Sequence, residues 1–166
     1  MLEFTRSDMC VLMLSTTFRG KRYFVTFTDE CSHFTTIFLL RNKSEVADKS
    51  AEFLAFAEAQ TSKVVKAFCC DNGGEYILGD MTKFCKRRGI EHKFTPPYTP
   101  QLNGVAERMN RTLVECARCM IEYAGLAMPY WVEAVMPAAS LRNRCPTRAL
   151  SWINHHTLFG LNENLR

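Results

Sequence analysis

The fold is decided by residues 21–40, which read KRYFVTFTDECSHFTTIFLL. Lys21–Thr28 and Phe34–Leu40 are rich in aromatic and β-branched residues, which favour strands. Between them lies Asp29–Ser32, whose residue types are typical of turns. The stretch therefore predicts a strand, a turn and a returning strand.

Outward from this hairpin, strands and helices alternate along the chain. A strand is predicted near Asp8–Met13, a helix at Ser44–Gln60, a strand at Val64–Cys70, a helix at Asp80–Arg88, a strand at Ile90–Phe94, a long helix from Asn103-Gly104 to Tyr123, and a last helix at Pro129–Asn143. Three prolines in residues 95–102 exclude a helix or a central strand there. This order predicts an α/β domain with a mixed sheet.

Composition restricts the class of protein further. The chain has 166 residues, 47% hydrophobic and 23% charged, which fits one globular domain and excludes disordered and fibrous classes. No run approaches 18 consecutive apolar residues, so we expect no transmembrane helix and no membrane among the partners. Without a secretory signal the eight cysteines are predicted to stay reduced. Cys116 and Cys119 have zinc-knuckle spacing but no second ligand pair, so we expect buried thiols and no structural zinc.

Charge is distributed unevenly between the two halves of the chain. Residues 1–82 contain 9 Lys/Arg and 11 Asp/Glu, whereas residues 83–166 contain 12 and 6, so the net charge changes from −2 to +6. A basic half suits a polyanion, and a solvated charged surface is the alternative interpretation. Charge alone favours the solvated surface, because a net charge of +6 falls short of a strongly basic domain.

Three acidic residues occupy positions that suit a site. Asp8 lies on or beside the first strand and Asp71 directly follows the Val64–Cys70 strand, where sheets open into crevices. Glu107 lies on the solvent side of the long helix, with Arg111 one turn further on. The alternatives are a simple turn at Asp71 and an exposed helix face with ion pairs at Glu107.

Two segments connect these acids to a known family. Residues 70–76 read CDNGGEY and residues 95–111 read TPPYTPQLNGVAERMNR, with 35 residues between Asp71 and Glu107. In this pattern the chain resembles the integrase core of Copia-type LTR retrotransposons. The resemblance extends from about Asp8 to Pro146, and several motifs in the right order make it specific.

The resemblance implies a ribonuclease H-like fold, with a mixed five-stranded sheet flanked by helices. It implies that Asp8, Asp71 and Glu107 are the catalytic residues and the ligands of Mg²⁺, with Mn²⁺ as a substitute and two ions when DNA is bound. The implied reactions are 3′-end processing and strand transfer of retrotransposon DNA. The residues implied to contact DNA are Tyr98, Gln101, Asn103, Arg108 and Arg111. The implied partners are retroelement ends, target DNA and further copies of the chain, in a homodimer or higher oligomer.

The sequence also departs from the family. Residues 8–13, DMCVLM, and 29–33, DECSH, differ from the usual motifs, and the His/His/Cys/Cys zinc module is absent. We therefore expect a truncated relic of a polyprotein, with a catalytic core at 1–148 and an irregular tail at 149–166. It would be nuclear if expressed and functional, and otherwise intracellular. A catalytically inactive or domesticated nucleic-acid-binding module and a ribonuclease H remain alternatives.

Overall fold

A computed structural model describes residues 3–11, 16–71, 73, 76, 79–95 and 100–145, with the side chains of Val11 and of residues 100–103 excepted. Its strands are β1 (Phe4–Val11), β2 (Tyr23–Asp29), β3 (Thr35–Leu40), β4 (Ala67–Cys70) and β5 (Glu91–Phe94), and its helices are α1 (Val46–Thr61), α2 (Asp80–Arg88), α3 (Pro100–Tyr123) and α4 (Trp131–Arg144). Short 3₁₀ turns precede α1 and α4. The predicted tail at 149–166 lies outside the described residues.

The strands form one five-stranded sheet in the order β3-β2-β1-β4-β5. β2 runs antiparallel to β1 and β3, while β1, β4 and β5 are mutually parallel. The predicted hairpin is therefore β2–β3, and the predicted mixed sheet is confirmed. Parallel strands end at the same edge of a sheet, so the carboxyl ends of β1 and β4 lie together.

Helices cover both faces of the sheet. On one face α1 and α2 pack over an aromatic core, where the ring centroids of Phe27 and Phe53 lie 4.7 Å apart. On the other face α3 and α4 pack over Phe24, with Leu113 and Trp131 fully buried between them. Phe24 and Phe27 can serve opposite faces because side chains alternate along a strand. The face under α3 is the one that concerns the site.

Two details of α3 correct the sequence-based expectations. The helix begins at Pro100 and not at Asn103-Gly104, because a proline in the first turn loses no intrahelical hydrogen bond. Cys116 and Cys119 are exposed, not buried, because the buried line of the helix runs through Leu113 and Ala117 beside them. Within the part of the chain that the structure describes, no helix has the length and apolar character needed to cross a membrane.

Candidate active site

Two of the predicted acids come from neighbouring parallel strands. The pairing of β1 with β4 places Ser7 opposite Cys70, so the next residues along the two strands are Asp8 and Asp71. Asp8 is buried, with 7% of its surface exposed. Asp71 is partly exposed and accepts a hydrogen bond from the Gly73 N–H at 3.0 Å. The carboxyl edge of the sheet therefore brings two acids from distant parts of the sequence side by side.

The third acid reaches this edge from α3. Ala106, Met109 and Leu113 are buried against the sheet, and this contact leaves Glu107 exposed. Glu107 and Asp8 line one cavity of about 410 Å³. A helix that began at Asn103-Gly104 would have placed Glu107 in its first turn. Because α3 begins at Pro100, Glu107 is the eighth residue of the helix and lies beyond the first turn.

The pKa of Asp8 is affected by the other two acids. Burial raises the pKa of Asp8, and so do the negative charges of Asp71 and Glu107. A hydrogen bond from Asn110 acts in the opposite direction, and the resulting pKa of Asp8 is about 7, against an ordinary value of 3.8. In the metal-free protein Asp8 therefore carries a proton for much of the time at neutral pH.

The acids do not form a ready-made coordination cluster. Among the described residues, no three His, Cys, Asp or Glu side chains are close enough to hold one metal ion. Three like charges repel one another, so a metal-free arrangement with the carboxylates apart is physically reasonable. The donor set itself, three carboxylates, fits a hard divalent cation such as Mg²⁺. Their role as ligands stays a prediction.

Asn110 is a functional candidate that the sequence-based analysis did not single out. Its Nδ2 donates to the Asp8 Oδ2 at 2.9 Å, and its Oδ1 lies 3.0 Å from the Thr26 hydroxyl. That hydroxyl also lies 3.1 Å from the Asp8 carbonyl oxygen, and it can donate to either acceptor. All three residues are buried. A signal was available, since Asn110 is a polar residue on the buried side of the helix, where a polar group needs a partner.

Replacing Asn110 by alanine is expected to raise the pKa of Asp8 further and to shift the pH midpoint of any Asp8-dependent activity upward. The lost donor normally favours the ionised carboxylate. Stability should fall by about 1–3 kcal/mol, because the buried partners lose a hydrogen bond. Asn143→Ala is the matched control. The Asn143 amide also makes side-chain hydrogen bonds, but to the Thr35 backbone and not to a residue of the carboxylate site. The measurement is a pH–rate profile of both variants. An unshifted midpoint in Asn110→Ala would count against a role of Asn110 in positioning Asp8.

Two arginines of α3 also line the carboxylate cavity. Arg111 and Arg118 lie on the same side of the helix as Glu107, and neither makes a hydrogen bond or ion pair with any residue that the structure describes. Arg118 lies close enough to Cys10 on β1 to lower the pKa of that thiol, although burial raises it overall to about 11. The alternative interpretation of this helix face, a row of ion pairs, is therefore not what the described residues show.

The predicted DNA-contacting residues fall into three groups. Arg111 lines the carboxylate cavity, whereas Arg108 turns back to donate to the Gly104 carbonyl oxygen at 2.9 Å and lines a different cavity. Gln101 and Asn103 lie in the first turn of α3, with side chains that are not described, and Tyr98 lies outside the described residues. Of the two residues whose side chains the structure describes, Arg111 lies next to the acids and Arg108 does not.

Residues 5–100 match the family model of the integrase core domain. They make up more than half of the chain, and the chain therefore belongs to the integrase core domain family. Integrase core domains generally use divalent metal ions. The resemblance identified in the sequence is confirmed by this match and by the relatives that follow.

The similar proteins are retrovirus-related Pol polyproteins of Copia-type transposons. The chain is 41% identical over 151 residues to the polyprotein from transposon TNT 1-94 of Nicotiana tabacum, which covers 91% of the chain and 11% of the relative. It is 33% identical over 144 residues to that from transposon RE1 of Arabidopsis thaliana, covering 86% and 10%. The Ty1-LR3 Gag-Pol polyprotein of Saccharomyces cerevisiae is 32% identical over 143 residues, covering 84% and 8%. The chain thus spans about a tenth of these relatives.

A solved structure confirms the fold. A chain in the cryo-EM structure of the simian T-cell lymphotropic virus intasome in complex with PP2A regulatory subunit B56 gamma aligns with a TM-score of 0.72. The alignment covers 97% of this chain and 56% of the other, at 17% identity. Together with the mixed sheet flanked by helices, this likeness establishes the ribonuclease H-like fold that the resemblance implied.

Proposed function

We propose that this domain cuts DNA near the 3′ end of a retroelement and joins that end to target DNA, with Asp8, Asp71 and Glu107 as its catalytic residues. The observation that carries the proposal is the placement of the three acids, because the pairing of β1 with β4 brings Asp8 beside Asp71, and Glu107 lines the same cavity as Asp8. In agreement with this placement, the charges of Asp71 and Glu107 raise the pKa of Asp8. Three acids from β1, the end of β4 and α3 thus act on one another, in a chain that belongs to the integrase core domain family.

Asp8, Asp71 and Glu107 would together hold Mg²⁺, or Mn²⁺ in its place, and two ions when DNA is present. When bound, such ions activate the attacking oxygen and stabilise the leaving oxygen of an in-line displacement at phosphorus. The role of the chain's own residues is positioning. Asn110 holds the Asp8 carboxylate through its amide, and Arg111 and Arg118 offer unpaired guanidinium groups to the DNA backbone beside it.

The proposed partners follow from the same features. The net charge of +6 in residues 83–166 and the unpaired arginines of α3 support DNA as the ligand. Joining a DNA end to a target requires at least two DNA segments, and the proposal therefore includes a homodimer or higher oligomer. A chromosomal target would place the functional protein in the nucleus.

One observation favours a second candidate function. Residues 8–13, DMCVLM, which include the first of the three acids, differ from the usual family motif. This favours a nucleic-acid-binding module with a ribonuclease H-like fold that has lost catalysis. The two candidates differ in a simple respect, because only the first breaks phosphodiester bonds.

Incubation with Mg²⁺ and three substrates tests the proposal. The substrates are a duplex that carries element ends, an unrelated duplex, and an RNA–DNA hybrid. We expect nicking or strand transfer on the duplex with element ends, and none when EDTA replaces Mg²⁺. Cleavage of the RNA strand of the hybrid in preference to DNA would replace the proposal with a ribonuclease H. DNA binding without any cleavage would favour the inactive module.

A further inference from the structure

A second cavity, of about 340 Å³, lies beside α3. It is lined by side chains from three elements, namely His33 from the turn after β2, Val105, Arg108, Met109 and Thr112 from α3, and Arg142 from α4. None of its described lining residues is acidic, whereas the carboxylate cavity holds Asp8, Glu107 and Glu115. We call this space the cationic cavity.

The cationic cavity lies on a different flank of α3 from the acids. With about 100° between successive residues of a helix, the α3 residues that line it are centred roughly 130° around the axis from Glu107, Arg111 and Arg118. No residue lines both cavities. Arg108 and Arg111, three residues apart, are neighbours on the helix surface between the two flanks.

The walls of the cationic cavity are held in place by buried and partly buried contacts. The Asn143 side chain donates to the Thr35 carbonyl oxygen at 2.8 Å and accepts from the Thr35 N–H at 2.9 Å, which fixes the end of α4 to the start of β3. In the turn before it, the Asp29 Oδ2 accepts from the Ser32 N–H and hydroxyl at 2.8 and 2.6 Å. His33 follows with a φ of 58°, in the left-handed region. These contacts fix the backbone on which His33 and Arg142 are carried.

The two arginines of this cavity have hydrogen-bond donors that are not used within the described part of the chain. Arg142 makes no side-chain hydrogen bond or ion pair within the part of the chain that the structure describes. Arg108 uses only its Nε, on the Gly104 carbonyl oxygen, so its two terminal nitrogens are available. Elsewhere on the surface, Arg6 and Arg88 are paired with glutamates at 2.6 and 2.9 Å. The arginines of the cationic cavity thus differ from these two, because no acidic residue is among the described residues that line the cavity.

We propose that the cationic cavity binds a backbone phosphate of DNA, away from the phosphate that is cut, with Arg108 and Arg142 as its ligands and His33 and Thr112 beside them. The inference rests on the proposed function for the identity of the ligand. Guanidinium groups suit phosphate because their planar donors can hold two of its oxygens at once. A strand or duplex passing over the exposed turns of α3 would then be held on two flanks of the helix, which fixes its register over the acids.

The position of Arg142 has a simpler explanation, which does not account for the cavity. A cation in the last turn of a helix is stabilised by the helix dipole, and Arg142 lies in the last turn of α4. Arg144 already provides such a cation there, through its bond to the Ser140 carbonyl oxygen. The dipole of α4 does not explain why Arg108 and His33, from two other elements, face the same space.

The test is DNA binding in EDTA at several salt concentrations, measured by fluorescence anisotropy for the chain and three variants. Arg142→Gln is expected to weaken binding about tenfold and to reduce the slope of log K against log[salt] by about 0.9, the value for one lost phosphate contact. Arg142→Lys, which keeps the charge, should retain most of the slope. Arg41→Gln, an exposed arginine that directly follows β3 in the half of the chain with a net charge of −2, is the matched control and should change neither quantity.

Two forms of DNA distinguish the source of the phosphate. A labelled linear duplex offers ends, and a covalently closed plasmid, used as competitor, offers none. If Arg142→Gln weakens binding to the linear duplex alone, the cavity binds the processed end. If it weakens binding to both forms of DNA, the cavity binds the DNA backbone in general. Equal slopes for Arg142→Gln and the unaltered chain on both would overturn the inference. Because binding is measured without metal, this result is independent of whether the chain cleaves DNA, which tests the proposed function.

Discussion

Replacing Glu107 by glutamine is expected to reduce Mg²⁺-dependent DNA cleavage by about a thousandfold. The amide has nearly the shape of the carboxylate but no negative charge to hold a divalent cation. Glu107 is exposed on α3, so the change should leave the fold intact. The measurement is the single-turnover rate of cleavage on a labelled duplex with element ends, and Asp71→Asn should behave in the same way.

Glu115→Gln is the matched control for this prediction. Glu115 lies two turns along the same helix and lines the same cavity, but it is not among the acids that act on Asp8. We expect this variant to keep its cleavage rate within a fewfold of that of the unaltered chain. If Glu107→Gln and Glu115→Gln retained the same rate as the unaltered chain, the assignment of Glu107 would be wrong.

Replacing Asp8 by asparagine is expected to stabilise the metal-free chain at neutral pH while it abolishes cleavage. The pKa of Asp8 is about 7 in the folded protein, against 3.8 ordinarily, so the folded state binds more protons than the unfolded state between these values. The free energy of unfolding therefore falls as the pH rises from about 4 to 7, by about 4 kcal/mol in all. Asparagine carries no charge and can still accept the hydrogen bond from Asn110.

Thermal unfolding in EDTA over a range of pH measures this effect. At pH 8 the melting temperature of Asp8→Asn should exceed that of the unaltered chain by on the order of 10 °C, since a domain of this size gains roughly 2–4 °C per kcal/mol. Near pH 4 the two should agree closely. A variant that is no more stable at pH 8 would show that burial and the neighbouring acids do not strain Asp8.

The layered fold was open to prediction because local signals agreed with one another. The aromatic and β-branched runs on either side of Asp29–Ser32 became β2 and β3, and Gly89 ends α2 in a left-handed conformation, as expected of a helix stop. The start of α3 was missed, because a proline forbids the interior of a helix but suits its first turn. The exposure of Cys116 was missed because a periodic pattern does not fix the edge of a buried stripe.

The candidate site was predictable where it depended on strand order. Asp71 follows an apolar strand, and the ends of parallel strands meet, so its approach to Asp8 follows from topology. Tertiary contacts were not accessible in this way. The hydrogen bond between Asn110 and Asp8 joins residues 102 positions apart, and the cationic cavity joins His33, Arg108 and Arg142 from three elements. A local sequence pattern does not predict such contacts, because they depend on how distant elements pack together.

The central claim is that Asp8, Asp71 and Glu107 act together as one divalent-cation site. It is tested most directly by the change in melting temperature that Mn²⁺ produces at pH 8 in the unaltered chain and in Asp8→Asn, Asp71→Asn and Glu107→Gln. A ligand that binds only the folded state stabilises it, so the account predicts a rise with Mn²⁺ in the unaltered chain and a much smaller rise in each variant. The same rise in all four proteins, or none in any of them, would contradict the claim.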